Sequence, residues 1–227
     1  MRYIYVSLML FLFAGLFCGC KEYSPQLTEK EAIQVTLTYG QKFFMEEFVE
    51  WQEWPVRTAE FRTVEVETAH EKQYDGERHI WYVVIKTEND SRSVHFVVTD
   101  DGKEVIGGWD SLEAVPNYNT DTDQKGLISV EEAIIYAILF QNARGNKQGP
   151  WKHVEVRLEE FTKHDGYRMK GGYQRYDWYW VPIGKPVWKI GFYDHEKDDG
   201  SWRLYDTTVF VRASNGKVYG YVLSGTI

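Results

Sequence analysis

The chain has almost no cysteine. Of its 227 residues only Cys18 and Cys20 carry a thiol, and both lie near the N-terminus. Beyond Cys20, a disulfide, a thiolate zinc site and a cysteine nucleophile are therefore excluded. A chain of this length can still bury a core large enough to fold without cross-links. We therefore expect packing and hydrogen bonds alone to hold the fold together.

The sequence also lacks the common signatures of catalysis and of nucleic-acid binding. It contains no HExxH zinc motif, no GxSxG nucleophile elbow and no glycine-rich phosphate loop. Its net charge of −8 disfavours binding to nucleic acid through a basic patch. We therefore expect a protein that is not an enzyme, that carries no cofactor and that binds no nucleic acid.

A long apolar run is present at the N-terminus. Arg2 precedes a nearly continuous apolar stretch over residues 5–17, which is typical of a secretory signal. The stretch ends in LFCGC at residues 16–20, which resembles the lipobox of bacterial lipoproteins. In that family a small residue, here Gly19, precedes the cysteine that receives the lipid. An ordinary secretory signal with two incidental cysteines is the open alternative.

The lipobox resemblance implies where the mature protein resides. Residues 1–19 would be the signal peptide, Cys20 the lipid attachment site and residues 20–26 a short polar tether. The protein is then expected outside the cytoplasm, attached to the bacterial membrane through its lipidated N-terminal cysteine. Its expected partners are the membrane and another envelope protein.

One seven-residue motif occurs twice and indicates an internal repeat. The sequence reads LTEKEAI at residues 27–33 and ISVEEAI at residues 128–134. In each copy a Thr or Ser can cap a helix, and the Glu three residues later can reach back to the cap. The patterns that follow predict one helix from Thr28 toward Glu50, with Ile33 and Leu37 inward, and another over residues 130–142.

Period-two patterns and turn residues predict the remaining elements. Strands are expected over residues 59–67, 79–87, 94–99, 103–106, 153–161, 187–193, 204–212 and 217–222. The glycine-rich and polar segment 108–126 is predicted to be a linker between units 27–107 and 127–227. The predicted fold class is α+β, with two repeated units that each pack one helix on a small antiparallel β-sheet.

The ends of both units carry a family resemblance. VVTDDGKEV at residues 97–105 and VRASNGKV at residues 211–218 are strand–turn–strand segments with Gly-Lys in the turn. A helix that opens with Thr/Ser-x-x-Glu-Ala and leads to such a hairpin resembles the PepSY domain of peptidase propeptides. The resemblance implies two tandem PepSY-like units without catalytic residues, and a binding or regulatory role that restrains a protease. A generic helix-plus-sheet or cystatin-like repeat is the open alternative.

A weak candidate for a calcium-binding loop overlaps the second copy of this motif. Residues 121–132 resemble an EF-hand loop, with Asp121, Asp123 and Glu132 as oxygen ligands. Lys125 occupies a ligand position and brings a positive charge instead of an acceptor. Because the helix cap already accounts for Glu132, no metal is favoured.

An aromatic run in the second unit is the candidate ligand-binding surface. Residues 173–180 read YQRYDWYW, and Tyr176, Trp178, Tyr179 and Trp180 could stack on sugar rings. The alternative function is therefore a module that binds a cell-wall glycan or another small ligand. The favoured interpretation of these rings is that they cover the core of the sheet.

Overall fold

The computed structural model describes residues 23–43, 50, 51, 53–102, 104–110, 126–145, 153–162, 183–196 and 202–222. These residues form helices α1 (Glu29–Phe43) and α2 (Val130–Ala143) and a short 3-10 helix (Lys72–Tyr74). The strands are β1 (Val56–Val66), β2 (Gly76–Lys86), β3 (Ser93–Thr99), β4 (Val105–Asp110), β5 (His153–Glu160), β6 (Pro186–Glu196), β7 (Trp202–Arg212) and β8 (Val218–Val222). Glu50, Trp51 and Glu53 are also helical. Within the described ranges, no helix combines the length and the apolar character that a membrane crossing requires.

The strands form two four-stranded antiparallel sheets. The first sheet has the order β1-β2-β3-β4 and the second the order β5-β6-β7-β8, so each is a simple meander. Short connections join β2 to β3, β3 to β4 and β7 to β8, and strands joined in this way pair antiparallel. The α+β class with two helices and antiparallel sheets, predicted from the sequence, is thus confirmed.

Strand β4 extends into the segment that the sequence pattern assigned to a linker. It continues through Gly107 and Gly108 to Asp110. A Cβ atom on Gly108 would lie 2.6 Å from Cδ1 of Phe96 and 2.8 Å from the carbonyl oxygen of His95. The glycine therefore permits close approach of β4 to β3, whereas paired glycines in a sequence usually indicate a turn.

Both predicted capping boxes form. In α1 the N–H of Glu31 donates to the Thr28 hydroxyl at 3.3 Å, and the N–H of Thr28 donates to the Glu31 carboxylate at 2.7 Å. In α2 the same two bonds join Ser129 and Glu132, at 3.1 and 2.8 Å. The repeated motif therefore starts both helices, because its side chains accept hydrogen bonds from backbone N–H groups that the first helical turn leaves unpaired.

Helix α1 contacts the first sheet through small residues. Ala32, Thr36 and Gly40 are buried at a spacing of four residues, whereas the predicted inward residues Ile33 and Leu37 are only partly buried beside them. Small side chains let the helix axis approach the sheet closely. Larger apolar residues on both flanks then cover the sheet surface, which explains why a glycine is tolerated inside the helix.

Helix α2 lies between the two sheets. Buried residues occur on several of its faces, and they are Ala133, Ile134, Ile135, Ala137, Ile138, Leu139, Phe140 and Gln141. One core cluster joins α2 to Ile80 and Val97 of the first sheet and to Trp188 and Ile190 of the second. A helix that is apolar all round is expected where both sides are covered. The order of layers is therefore α1, first sheet, α2, second sheet.

The last hairpins of the two sheets have the same irregularity. The pairing register shifts between Val97 and Val98 in β3 and between Phe210 and Val211 in β7. The connecting loops are of equal length, since Thr99 N–H donates to Glu104 O and Arg212 N–H donates to Lys217 O. The Gly-Lys landmarks match less closely, because the glycine is one position later in the second loop.

Backbone bonds also join the two sheets along one seam. Immediately after β1, the N–H of Ala69 donates to Val218 O at 2.7 Å, and the N–H of Val218 donates to Glu67 O at 2.8 Å. Thr68 and Val218 form a parallel bridge. On the opposite side, β4 and β5 are in contact. The two sheets are therefore in contact on both sides of α2.

Candidate functional site

A buried hydroxyl–imidazole chain is the most enzyme-like group of side chains that the structure describes. His95 Nε2 lies 2.9 Å from Ser93 Oγ, and His95 Nδ1 lies 2.5 Å from the Tyr82 hydroxyl. The Trp109 ring stacks on the imidazole with a centroid distance of 5.0 Å. The ring can accept a hydrogen bond from one hydroxyl and donate one to the other.

The surroundings of this chain fit a structural role. His95 is 7% exposed, and burial lowers its pKa to about 4, which keeps the imidazole neutral. Burial also raises the pKa of Tyr82, so the phenol keeps its proton. In hydrolase triads a carboxylate orients the histidine, whereas here a phenol does. The group therefore satisfies polar atoms inside the first sheet.

The outer edge of β1 carries backbone groups that no described strand pairs before Thr68. Glu67 and Ala69 direct their backbone groups away from β2 toward β8. Because backbone groups alternate between the two edges of a strand, the odd-numbered residues of β1 point outward as well. A second hydrogen bond gives the same result. The N–H of Asp100 donates to His79 O, so the odd-numbered residues of β2 direct their backbone groups toward β3 and the even-numbered ones toward β1. Even-numbered residues of β2 pair with even-numbered residues of β1, which leaves the odd-numbered residues of β1 to point outward.

This edge is long and regular. Strand β1 has eleven residues, and its pairing with β2 runs without a bulge from Val56 to Val66. Among the described residues, no strand pairs with the outer edge of β1 before the bridge at Thr68. Exposed sheet edges normally carry bulges, proline or charge that block a further strand. On β1 the device is charge alone, from residues such as Glu60, Arg62 and Glu65.

A groove lies between this edge and the start of α2. Its volume is about 720 Å³, and we call it the β1 groove. The residues that line it are Glu60, Arg62, Thr63, Val64, Glu65, Ser129, Glu131, Glu132, Ile135 and Tyr136. It therefore combines strand backbone, a partly apolar floor and four carboxylates against one guanidinium.

The single guanidinium of the groove is already held in place. Arg62 donates to the Glu60 carboxylate through Nε at 3.0 Å and through its terminal nitrogen at 2.6 Å. Its guanidinium carbon lies 4.4 Å from the centre of the Tyr82 ring. By contrast, neither Glu65 nor Glu131 forms a salt bridge with a residue that the structure describes. The groove is therefore net negative.

Most of the site residues predicted from the sequence are not among the residues that the structure describes. Cys20, the aromatic candidates Tyr176, Trp178, Tyr179 and Trp180, and the calcium candidates Asp121 and Asp123 are outside the described residues. Glu132 is described, and its carboxylate caps Ser129. Within the described ranges, no group of three or more His, Cys, Asp or Glu residues is placed to hold a metal ion.

Sequence reasoning missed the β1 groove. The sequence predicted a strand over residues 59–67, but a strand pattern does not say which edge of a sheet stays open. The alternating charges at Glu60, Arg62 and Glu65 are the signal that could have suggested an exposed edge.

Comparisons with known proteins add no assignment. No family model, no curated protein and no solved structure matches this chain. The function must therefore be argued from the chain's own residues.

Proposed function

We propose that the chain is a lipid-anchored bacterial envelope protein with a non-enzymatic role, which binds a partner by adding an extended segment of that partner to the outer edge of β1. The observation that carries the proposal is the long, unbulged edge with its outward N–H and C=O groups. Such an edge supplies main-chain hydrogen bonds to an added strand, and neighbouring pockets supply specificity.

The partner we favour is another envelope protein, and a protease that is held in check is the example that the PepSY resemblance suggests. The finer architecture belongs to the same proposal: residues 27–107 and 127–227 would be two repeated PepSY-like units. Their equal capping boxes and the shared bulge of the two hairpins support this duplication. Helix α2 would then have gained contacts to both sheets after the duplication.

Contacts of the tether support a partner at the same membrane. The Tyr23 ring stacks on His79 with a centroid distance of 3.4 Å and on Phe61 of β1 at 5.8 Å. Tyr23 lies three positions after Cys20, and three residue steps span at most about 11 Å. A lipid on Cys20 would therefore keep the β1 edge close to the membrane surface.

Site-specific photo-cross-linking in intact cells tests this function. A photoreactive residue in place of exposed Thr63 should capture one envelope protein, whereas the same residue in place of Glu88, in the exposed β2–β3 turn, should not. With the photoreactive residue at another exposed position of β1, Thr63→Pro should abolish capture because it removes an outward N–H. Thr63→Ala should retain capture. Equal capture at both sites, or capture that survives Thr63→Pro, would reject the edge as the binding site.

A further inference from the structure

We infer that the β1 groove selects an extended segment with lysine or arginine at alternate positions, an inference that rests on the proposed function and names its partner's chemistry. A strand added beside β1 would turn every second side chain toward α2. On that side it would meet the carboxylates of Glu60 and Glu131, while Glu65 lines the groove along the strand itself. The occupant must therefore place its charges at the spacing of a strand.

The negative charge of the groove determines that its partner must carry positive charge. Glu60 forms a salt bridge with Arg62, and the Glu132 carboxylate accepts a hydrogen bond from the backbone N–H of Ser129. Glu65 and Glu131 remain as carboxylates that no described residue pairs in a salt bridge. An acidic or phosphorylated segment would be repelled by this lining, whereas a basic segment would gain charge-assisted hydrogen bonds.

The apolar part of the groove fits the stems of basic side chains. Val64 and Ile135 line it, and both belong to or border the core around α2. Lysine and arginine can lay their methylene groups on such a surface while the charged end reaches a carboxylate. A short polar side chain would leave this floor uncovered. The combination therefore favours long basic residues over small polar ones.

Charge on β1 also explains how an open edge can avoid unwanted strands. An apolar strand that paired with β1 would cover the carboxylates of Glu65 and Glu131 without offering them a partner, which is costly. A basic strand would instead leave the glutamates paired. The same charged residues thus disfavour pairing with apolar strands, which would cause aggregation, and favour pairing with basic segments.

Binding of short synthetic peptides to the purified full-length protein in detergent tests the inference. Three extended peptides would be compared, in which threonine alternates with lysine, glutamine or glutamate. We expect the lysine peptide to bind at least about tenfold more tightly than the glutamine peptide, and the glutamate peptide not to bind. Affinity for the lysine peptide should fall when ionic strength rises from about 0.01 to about 0.15 M, as the Debye length shortens from roughly 30 to 8 Å.

Charge variants identify the groove as the source of this preference. Glu65→Gln with Glu131→Gln should weaken binding of the lysine peptide about tenfold and leave the glutamine peptide unchanged. The matched control is Glu53→Gln with Glu88→Gln, which removes the same charge from exposed residues outside the groove lining and should change nothing. Glu65→Lys with Glu131→Lys should reverse the preference toward the glutamate peptide.

The outcomes separate the inference from the function on which it rests. If lysine and glutamine peptides bind equally and Thr63→Pro abolishes both, the charge preference is overturned while the proposed edge binding stands. If the control pair weakens binding as much as the groove pair, the attraction is non-specific and the inference falls. If no peptide protects β1 from hydrogen exchange, both the inference and the proposed function fail.

Discussion

The indole Nε1 of Trp81 donates a 2.9 Å hydrogen bond to the carboxylate of Asp100, which is buried in the turn after β3. The same carboxylate accepts from the Tyr23 hydroxyl at 2.6 Å and from the backbone N–H of Gln26 at 2.9 Å. One side chain thus holds the tether, the start of α1 and the first sheet together. In the second half Ala213 occupies the equivalent position, and its backbone oxygen accepts from the N–H of Ile128 at 2.8 Å.

Removing the Asp100 carboxylate should destabilise the protein. Asp100→Ala leaves the Trp81 and Gln26 donors unpaired, with an expected loss of about 1–3 kcal/mol in the free energy of unfolding. Asp100→Asn keeps an acceptor and should cost less. Chemical denaturation of both variants beside the wild type measures the difference. Equal stability of the alanine variant and the wild type would show that the carboxylate is dispensable.

The same carboxylate should make stability depend on acid. Partial burial acts to raise the pKa of Asp100, but hydrogen bonds from Tyr23, Gln26 and Trp81 outweigh it, and its pKa lies below the ordinary value. A lowered folded-state pKa means that the stabilisation is complete above the unfolded value and is lost as pH falls below it. Asp100→Asn should lack this part of the acid loss, which denaturation below pH 4 would measure.

His95 should give a second pH effect in a higher window. Its folded pKa of about 4 lies below the ordinary value of 6.5, so the unfolded chain binds more protons between these values. Stability should therefore be complete above 6.5 and fall toward pH 4, by about 3 kcal/mol in total because each pKa unit is worth about 1.4 kcal/mol. His95→Gln should flatten the curve of unfolding free energy against pH in this window. Parallel curves for the two proteins would contradict the assignment.

Proline substitutions along β1 test which backbone groups point outward. Thr63→Pro removes an outward N–H and should cost little stability. Val64→Pro removes an N–H that bonds to β2 and should cost about 3 kcal/mol or more. Thermal unfolding of both variants, with Thr63→Ala and Val64→Ala as controls for the lost side chains, measures the contrast. Similar losses at both positions would show that the alternation is assigned incorrectly.

Apolar truncations in the two helices should differ in cost. Ile134 is 1% exposed between both sheets, whereas Ile33 is only partly buried at the flank of α1. We expect Ile134→Ala to cost about 2–5 kcal/mol and Ile33→Ala clearly less. Since α2 belongs to a core shared by both sheets, Ile134→Ala should lower a single unfolding transition rather than one of two. Denaturation followed by fluorescence and by circular dichroism measures both quantities.

Lipidation at Cys20 remains a prediction from the sequence. Cys20→Ala should prevent incorporation of a labelled fatty acid and release the protein from the membrane fraction. Cys18→Ala should leave both properties intact, because Phe17 rather than a small residue precedes it. Fatty-acid labelling that persists in the Cys20→Ala protein would rule out this attachment site.

Local chemistry in the sequence determined the elements themselves. The capping boxes at Thr28 and Ser129, the alternation in the strands and the turns around Gly102 and Gly216 are set by neighbouring residues. Hydrogen bonds within a few positions of the chain decide them. For this reason the helix starts, the approximate positions of the strands and the α+β class could be predicted.

Only the tertiary structure decided how these elements are layered. No local pattern shows that α2 faces two sheets or that Ala32, Thr36 and Gly40 form the contact of α1. The same holds for Gly108, whose role depends on Phe96 in a neighbouring strand. The open edge of β1 is likewise non-local, since the chain pairs with β8 only after Val66 and, among the described residues, no strand pairs with the outer edge before that point. A strand's own residues specify its pleat, whereas the rest of the fold specifies its neighbours.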